Sequence, residues 1–228
     1  MYDAVIPGNH DWEFGSKRLV ELVDKYSLPL LCANCVWPEN MKPKNVVPYR
    51  IYPFEGVTVA VIGTTVPYRG WEIQYDMDGL LKVRRIVESV RSLVSDLDEK
   101  ADIIVLMTHI GFAEDQKAAR ALPRVDLIVG GHDHLLFETL FFDEKTQTVI
   151  QHSGEFGKYI GEIVLKWDGE KIVDRKVQII SITPDMPKCT KLEAMRKKYL
   201  STLPGYWECL QEGFDYSVCA RRLKSMPK

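Results

Sequence analysis

Three short segments gather the residues able to do chemistry: GNHDWEFG at 8–15, THIG at 108–111 and GGHDH at 130–134, each following an apolar run. Between them they hold four of the chain's five histidines, with an asparagine and several carboxylates alongside. Neutral imidazoles and oxygen donors on rigid scaffolding are what a divalent metal ion requires for work on phosphate esters, with coordination positions left for water and substrate. A lone histidine after a strand is more often a turn or core residue than a ligand. Four of them in three matching contexts reverse that expectation, and the candidates are Asn9, His10, His109, His132 and His134. Gly8, Gly111, Gly130 and Gly131 stand beside them, where a missing Cβ lets the backbone turn sharply and approach an ion or phosphate.

Such residues need strand ends to hold them, because ligands of open α/β sheets bind beyond the carboxyl ends of the strands. The pattern supplies those ends by alternating strand and helix signals. Tyr2 to Ile6 reads as a short buried strand, and Ser16 as the cap of a helix that carries Leu19, Leu22, Val23 and Tyr26 on one face. A strand from Leu28 to Ala33 follows, then a loop over 34–48 and a hairpin, Tyr49 to Phe54 with Val57 to Gly63, across Glu55-Gly56. Val83, Ile86, Val87, Val90, Val94 and Leu97 fall at helical spacing, with Arg84, Arg85, Glu88 and Arg91 on the other face, and this helix feeds a buried strand from Asp102 to Met107. A shorter helix, Ala113 to Leu122, precedes a strand from Val125 to Val129. Beyond His134 the pattern turns antiparallel, with runs at 135–142, 147–151, 159–167 and 171–182. These elements predict a core over residues 1–183 and a tail over 184–228 with one helix, Lys191 to Leu200.

Composition narrows the function classes. With 46% hydrophobic and 27% charged residues in 228, the chain can bury a sizeable core. A formal charge of -2 gives no bulk attraction to nucleic acid or to an anionic membrane. No apolar stretch reaches the roughly 18 residues that span a bilayer, and no basic segment with a hydrophobic run opens the chain. The expectation is a cytoplasmic protein as written, exported if a preceding segment carries a signal. The five cysteines lack a second paired spacing of the structural zinc kind, which predicts reduced thiols, with Cys32 and Cys35 as small apolar structural residues.

In order along the chain, the phrases YDAVIPGNHDWEFG, ADIIVLMTHIG, VDLIVGGHDH and SGEFGKYIGEI resemble the calcineurin-like metallophosphoesterases, in the branch of 5'-nucleotidases and 2',3'-cyclic phosphodiesterases. The resemblance covers about residues 3 to 167. It implies a four-layer α/β/β/α sandwich with mixed sheets, here without its first strands. It also implies hydrolysis of nucleotide monoesters or cyclic diesters by a hydroxide bridging two divalent ions, with Mn, Zn, Fe and Co all compatible. By the same resemblance, Asn9, His109 and His132 ligate the second metal and His134 the first. His10 stabilises the phosphoryl group or protonates the leaving group, with Glu13 orienting it where the family usually has Asp.

The family's early D-x-H and G-D segments, the latter with the bridging aspartate, do not occur ahead of the GNH segment, and the nucleotidase C-terminal substrate domain has no counterpart. The expectation is therefore a chain that begins inside its domain and is poorly active alone, with a partner chain that completes the sheet left open. A non-catalytic binding module that keeps the fold and part of one metal site is the alternative class. A β-lactamase-like metallohydrolase is excluded, since no H-x-H-x-D-H run exists. Around the site, Tyr68, Arg69, Trp71 and Tyr75 are lid candidates, and Asp115 is read as a helix cap sooner than a site contact. Asp133 and His152 are read as structural, and Asp11 as a turn residue or one that supports a ligand from behind.

Overall fold

A computed structural model describes residues 2–39, 43–67 and 82–201 of the chain. Backbone contacts separate the chain into two units, Met1–Ile182 and Thr183–Lys228. The elements of the first unit begin with a 3-10 turn, Asn9–Trp12, and helix α1, Ser16–Tyr26. Short strands β1 (Leu30–Leu31), β2 (Cys35–Val36) and β3 (Val46–Val47) precede the hairpin β4 (Tyr49–Phe54) and β5 (Val57–Gly63). Then come β6 (Lys82–Val83), α2 (Ile86–Asp98), β7 (Ile103–Met107), α3 (Phe112–Ala121) and β8 (Leu127–Gly130). Four strands close the unit: β9 (Phe141–Phe142), β10 (Val149–His152), β11 (Tyr159–Trp167) and β12 (Ile172–Ser181). In the second unit the described element is α4, Thr190–Ser201.

The chain folds as a mixed α/β protein around a six-stranded sheet of order β4-β5-β7-β8-β10-β9. Its four inner strands are parallel and its two edge strands antiparallel. Strands enclosed on both sides read as continuous apolar runs, and IIVLM at 103–107 and LIVG at 127–130 do so. Ile86, Val90, Val94 and Leu97 turn one face of α2 into a core in which Ile62, Ile104, Leu106, Ile128 and Ile150 are fully enclosed. Each such side chain contributes about 1.5–3 kcal/mol by leaving water. The antiparallel hairpin β11–β12 forms a separate two-stranded sheet, turned by Asp168, whose carboxylate accepts the amides of Glu170 and Lys171. Along β11 half-buried residues alternate with exposed ones, so one face of the hairpin is half-buried there and the other is exposed.

Register decides what the parallel core presents. Gly63 lies opposite Met107, Met107 opposite Val129 and Gly130 opposite His152, so the four strands end in line. Thr108-His109 and Gly131-His132 leave the sheet side by side as a direct result. Gly63 closes this end against β1, where a Cβ would meet Leu31 Cβ at 2.3 Å and Leu31 O at 2.5 Å.

Four expectations change. Tyr2 to Ile6 is reduced to a single bridge, Val5 to Leu30, because among the described residues it pairs along one side only. Ser16 is the first residue of α1 and is buried, while the cap position belongs to Gly15, whose φ of 83° a side chain would resist. The loop over 34–48 contains the two-residue strands β2 and β3, each too short to leave a periodic signal. Cys32 and Cys35 are joined by a disulfide instead of being reduced, because the turn from β1 into β2 brings their Cα atoms to 5.6 Å. The cysteine usage therefore no longer argues for a reducing cytosol. Tyr68, Arg69, Trp71 and Tyr75 lie outside the described residues, as do Cys209 and Cys219.

Candidate metal centre

The GNHD segment enters the site as the 3-10 turn, not as a strand end. Its shape is set by Asp11, whose carboxylate accepts the Gly8 amide at 2.7 Å, and by Trp12, which is fully buried and faces the Trp37 ring at 6.1 Å. This pinned turn aims Asn9 across at the second segment: Asn9 Oδ1 lies 2.8 Å from His109 Nε2. Gly8 permits the approach, since a Cβ there would stand 3.1 Å from the His109 ring. The His109 and His132 rings meet edge to face with centroids 5.1 Å apart. Asn9, His109 and His132 thus converge.

The other two histidines stand around this cluster. His10 Nδ1 makes a very short contact with Glu13 Oε1, three residues on, which fixes the ring by a carboxylate as catalytic imidazoles require. His134 Nδ1 pairs with Glu155 Oε2 at 3.0 Å, and its ring lies 5.4 Å from that of Phe156. Glu155 was not singled out from the sequence. Its position in the SGEFG turn, directly after β10, was the available signal. Both His132 and His134 sit in the left-handed region, with φ of 97° and 61°, a conformation that non-glycine residues adopt at a cost.

Burial lowers the His109 pKa from 6.5 to about 4, and the nearby imidazoles of His132, His10 and His134 press in the same direction against Asp133. The four histidines of the three segments therefore share one electrostatic environment, and His109 is neutral at physiological pH, the form a metal ligand takes. A proton taken up near 6.5 by the unfolded chain is refused by the folded chain until about 4. Stability is thus complete above about 6.5, declines as pH falls toward 4 and levels below it. Urea unfolding in EDTA between pH 7.5 and 4 should show this slope, and His109→Gln should flatten it; an unchanged slope would contradict the assignment.

The donors suit one cation. His132 Nδ1 is buried without a hydrogen-bond partner, a costly state for an imidazole nitrogen unless a cation takes its lone pair. Among the described residues no group of three His, Cys, Asp or Glu side chains has metal-holding geometry, so the convergent set is two imidazoles and an amide oxygen.

Behind the site lies a buried polar group. Asp115 is the fourth residue of α3 and does not cap it: its carboxylate points inward, accepting Thr108 Oγ1 and facing His152 Nε2, both at 2.7 Å. Burial pushes this carboxyl above its ordinary range, against the pull of those two bonds. Asp133 accepts the Phe112 amide at 2.7 Å.

The family model of the calcineurin-like phosphoesterases matches residues 1–136, which include all three segments. The chain belongs to this family. Calcineurin-like phosphoesterases generally use divalent metals, in keeping with the donors found. The metallophosphoesterase YunD of Bacillus subtilis is 29% identical over 87% of this chain, and UshA of Yersinia enterocolitica is 27% identical over 79%. A snake venom 5'-nucleotidase of Crotalus adamanteus is 25% identical over 90%. This chain spans 41%, 38% and 38% of those three proteins. Among solved structures, a 5'-nucleotidase precursor of Thermus thermophilus has the same fold, with a TM-score of 0.75 and 23% identity over 89% of this chain and 43% of that one. YfkN of Bacillus subtilis aligns with a TM-score of 0.69 and 25% identity, over 89% of this chain and 71% of that one.

Proposed function

We propose that this calcineurin-like phosphoesterase chain carries the histidine-rich part of a nucleotide phosphoesterase site, acting on phosphate monoesters or cyclic diesters of nucleotides. The observation that carries the reading is the convergence of Asn9 Oδ1 on His109 Nε2 with His132 beside them. These three residues hold one divalent ion, with Mn, Zn, Fe and Co all suited to nitrogen and oxygen donors. His134 is the contribution to a second ion, and Glu155 fixes its ring. Bound metal supplies Lewis-acid polarisation of the phosphoryl oxygens and activation of water.

The chain's own residues do the rest. Glu13 holds the proton of His10 on Nδ1, so exchange with a substrate oxygen runs through Nε2. Protonated, His10 adds a positive charge where the transferring phosphoryl group gathers negative charge. Burial keeps His109 neutral, so that proton competition does not empty the metal position near pH 7. The nucleotide substrate class is supported by the venom 5'-nucleotidase and by the fold shared with the Thermus enzyme.

Two assays test the reading. Calorimetric titration should show saturable Mn²⁺ uptake that weakens more than about tenfold in His109→Ala and in Asn9→Ala, since these are ligands and even residues behind ligands are worth about 10–100-fold. Hydrolysis of p-nitrophenyl phosphate, its bis ester and AMP with Mn²⁺ then assigns monoester or diester preference. A wild-type chain that takes up no Mn²⁺ overturns the proposal.

A further inference from the structure

We propose that Asp115 and His152 are positioning residues that lock the THIG and GGHDH loops together, so that His109 and His132 face one ion; this rests on the metal site proposed above. Both side chains are buried, and neither reaches the convergent donors. Their contacts run instead to the backbone and side chains that carry those donors. Thr108, which gives its hydroxyl proton to Asp115 Oδ1, is the residue immediately before His109. Gly130 lies directly on the pair, so close that a Cβ would stand 2.2 Å from His152 Nε2 and 2.3 Å from Asp115 Oδ2. On its other side, His152 Nδ1 lies 3.3 Å from Asp133 Oδ1 without a hydrogen bond, and Asp133 is the residue between His132 and His134. The second oxygen of Asp133 returns to the THIG side by accepting the Phe112 amide, and Gly111 N–H donates to Gly131 O at 3.0 Å. The Phe112–Asp133 and Gly111–Gly131 bonds join the two histidine loops directly, and the Asp115–His152 pair joins them through Thr108 on one side and Asp133 on the other.

A buried polar pair needs a reason to be there. Well-packed apolar residues of similar volume in place of a buried ion pair are often neutral or stabilising, so stability alone does not account for Asp115 and His152. What an apolar replacement cannot do is fix direction. The hydrogen bond from Thr108 to Asp115 and the placing of His152 against Asp133 set the angle at which each loop leaves its strand, and non-directional packing would let that angle drift. The positive φ of His132 and His134 implies surroundings that over-determine this loop, and the pair supplies them.

The test compares His152→Leu with His152→Gln, whose side-chain amide can still donate toward Asp115. Two readouts are taken on the purified chain: Co²⁺ affinity with the visible absorption of the bound ion, and hydrogen exchange of the Phe112 and Gly111 amides in EDTA. His152→Leu leaves Asp115 buried without its imidazole and should lower the unfolding midpoint by about 5–15 °C, so both readouts are taken well below that midpoint, where the variant is folded. Its Co²⁺ affinity should fall about 10–100-fold with an altered spectrum, as when a residue behind a metal ligand is lost. The Phe112 and Gly111 amides should exchange at least about tenfold faster while those of β5 and β7 hold, as expected for local opening. His152→Gln should recover most of both. Equal exchange in parent and His152→Leu, or acceleration spread evenly over the sheet, overturns the proposal. If the parent binds no Co²⁺ the metal reading fails, and exchange in EDTA still decides whether the pair positions the loops.

Discussion

His10→Ala is expected to lower phosphoester turnover by about 10²–10⁴-fold, the range that one positioned acid–base group supplies, while leaving Mn²⁺ uptake near that of the parent. The two effects separate because His10 stands outside the convergent donors and is tied to Glu13. The leaving group refines the expectation. p-Nitrophenolate departs without a proton, whereas the ribose oxygen of AMP needs one. Loss of a proton donor should therefore fall harder on AMP than on p-nitrophenyl phosphate, and loss of a positive charge should fall on both alike. The geometry favours the donor, since Glu13 holds the ring through Nδ1, so that proton exchange with the leaving oxygen runs through Nε2. Glu13→Gln should then lie between parent and His10→Ala, with its larger deficit on AMP. Turnover of both substrates within threefold of the parent would remove His10 from the mechanism.

Gly63→Ala is expected to destabilise the chain by at least about 3 kcal/mol, the upper end of ordinary overpacking. The added carbon would meet Leu31 Cβ at 2.3 Å, O at 2.5 Å and C at 2.7 Å, and two of these are backbone atoms that cannot rotate away. Their movement would separate β1 from the end of β5, where Ala33 N–H bonds to Gly63 O at 2.7 Å. Gly56→Ala serves as the control. That glycine has φ of 76° and no neighbour within 4 Å, so it carries only the left-handed penalty of about 1–2 kcal/mol. Urea midpoints for the two variants should differ clearly, and similar midpoints would mean that β1 yields where the packing says it cannot.

Much of the parallel core was legible because its elements are long and one-sided. The apolar face of α2 and the runs at 103–107 and 127–130 can be read without knowing what they touch. The hairpin across Glu55-Gly56 was equally plain, since Gly56 takes the left-handed turn that the pattern asks for. The strand read from Leu28 to Ala33 is present as the shorter β1, whereas β2 and β3 were obscured, because two residues carry no period and their pairing is decided by distant chain. The disulfide was missed for a related reason: C-x-x-C spacing permits a bond, and only the local turn brings the two Cα atoms close enough. At the site, residue type and glycine spacing marked Asn9, His10, His109, His132 and His134. Glu155, which meets His134 from 21 positions away, was marked only by its place in the SGEFG turn, and nothing local showed that Asp115 reaches inward to His152 instead of capping its helix.

Under the proposed metal reading, the left-handed backbone at His132 and His134 sets durability against chemistry in this loop. Each strained residue costs of order 1–3 kcal/mol, which glycine or asparagine would largely give back. A lineage released from any demand for the ion would gain stability by drifting to those residues at 132 and 134. Position 109, where the backbone has no positive φ, offers no such reward. Decay of an abandoned site should therefore begin in GGHDH and reach THIG last.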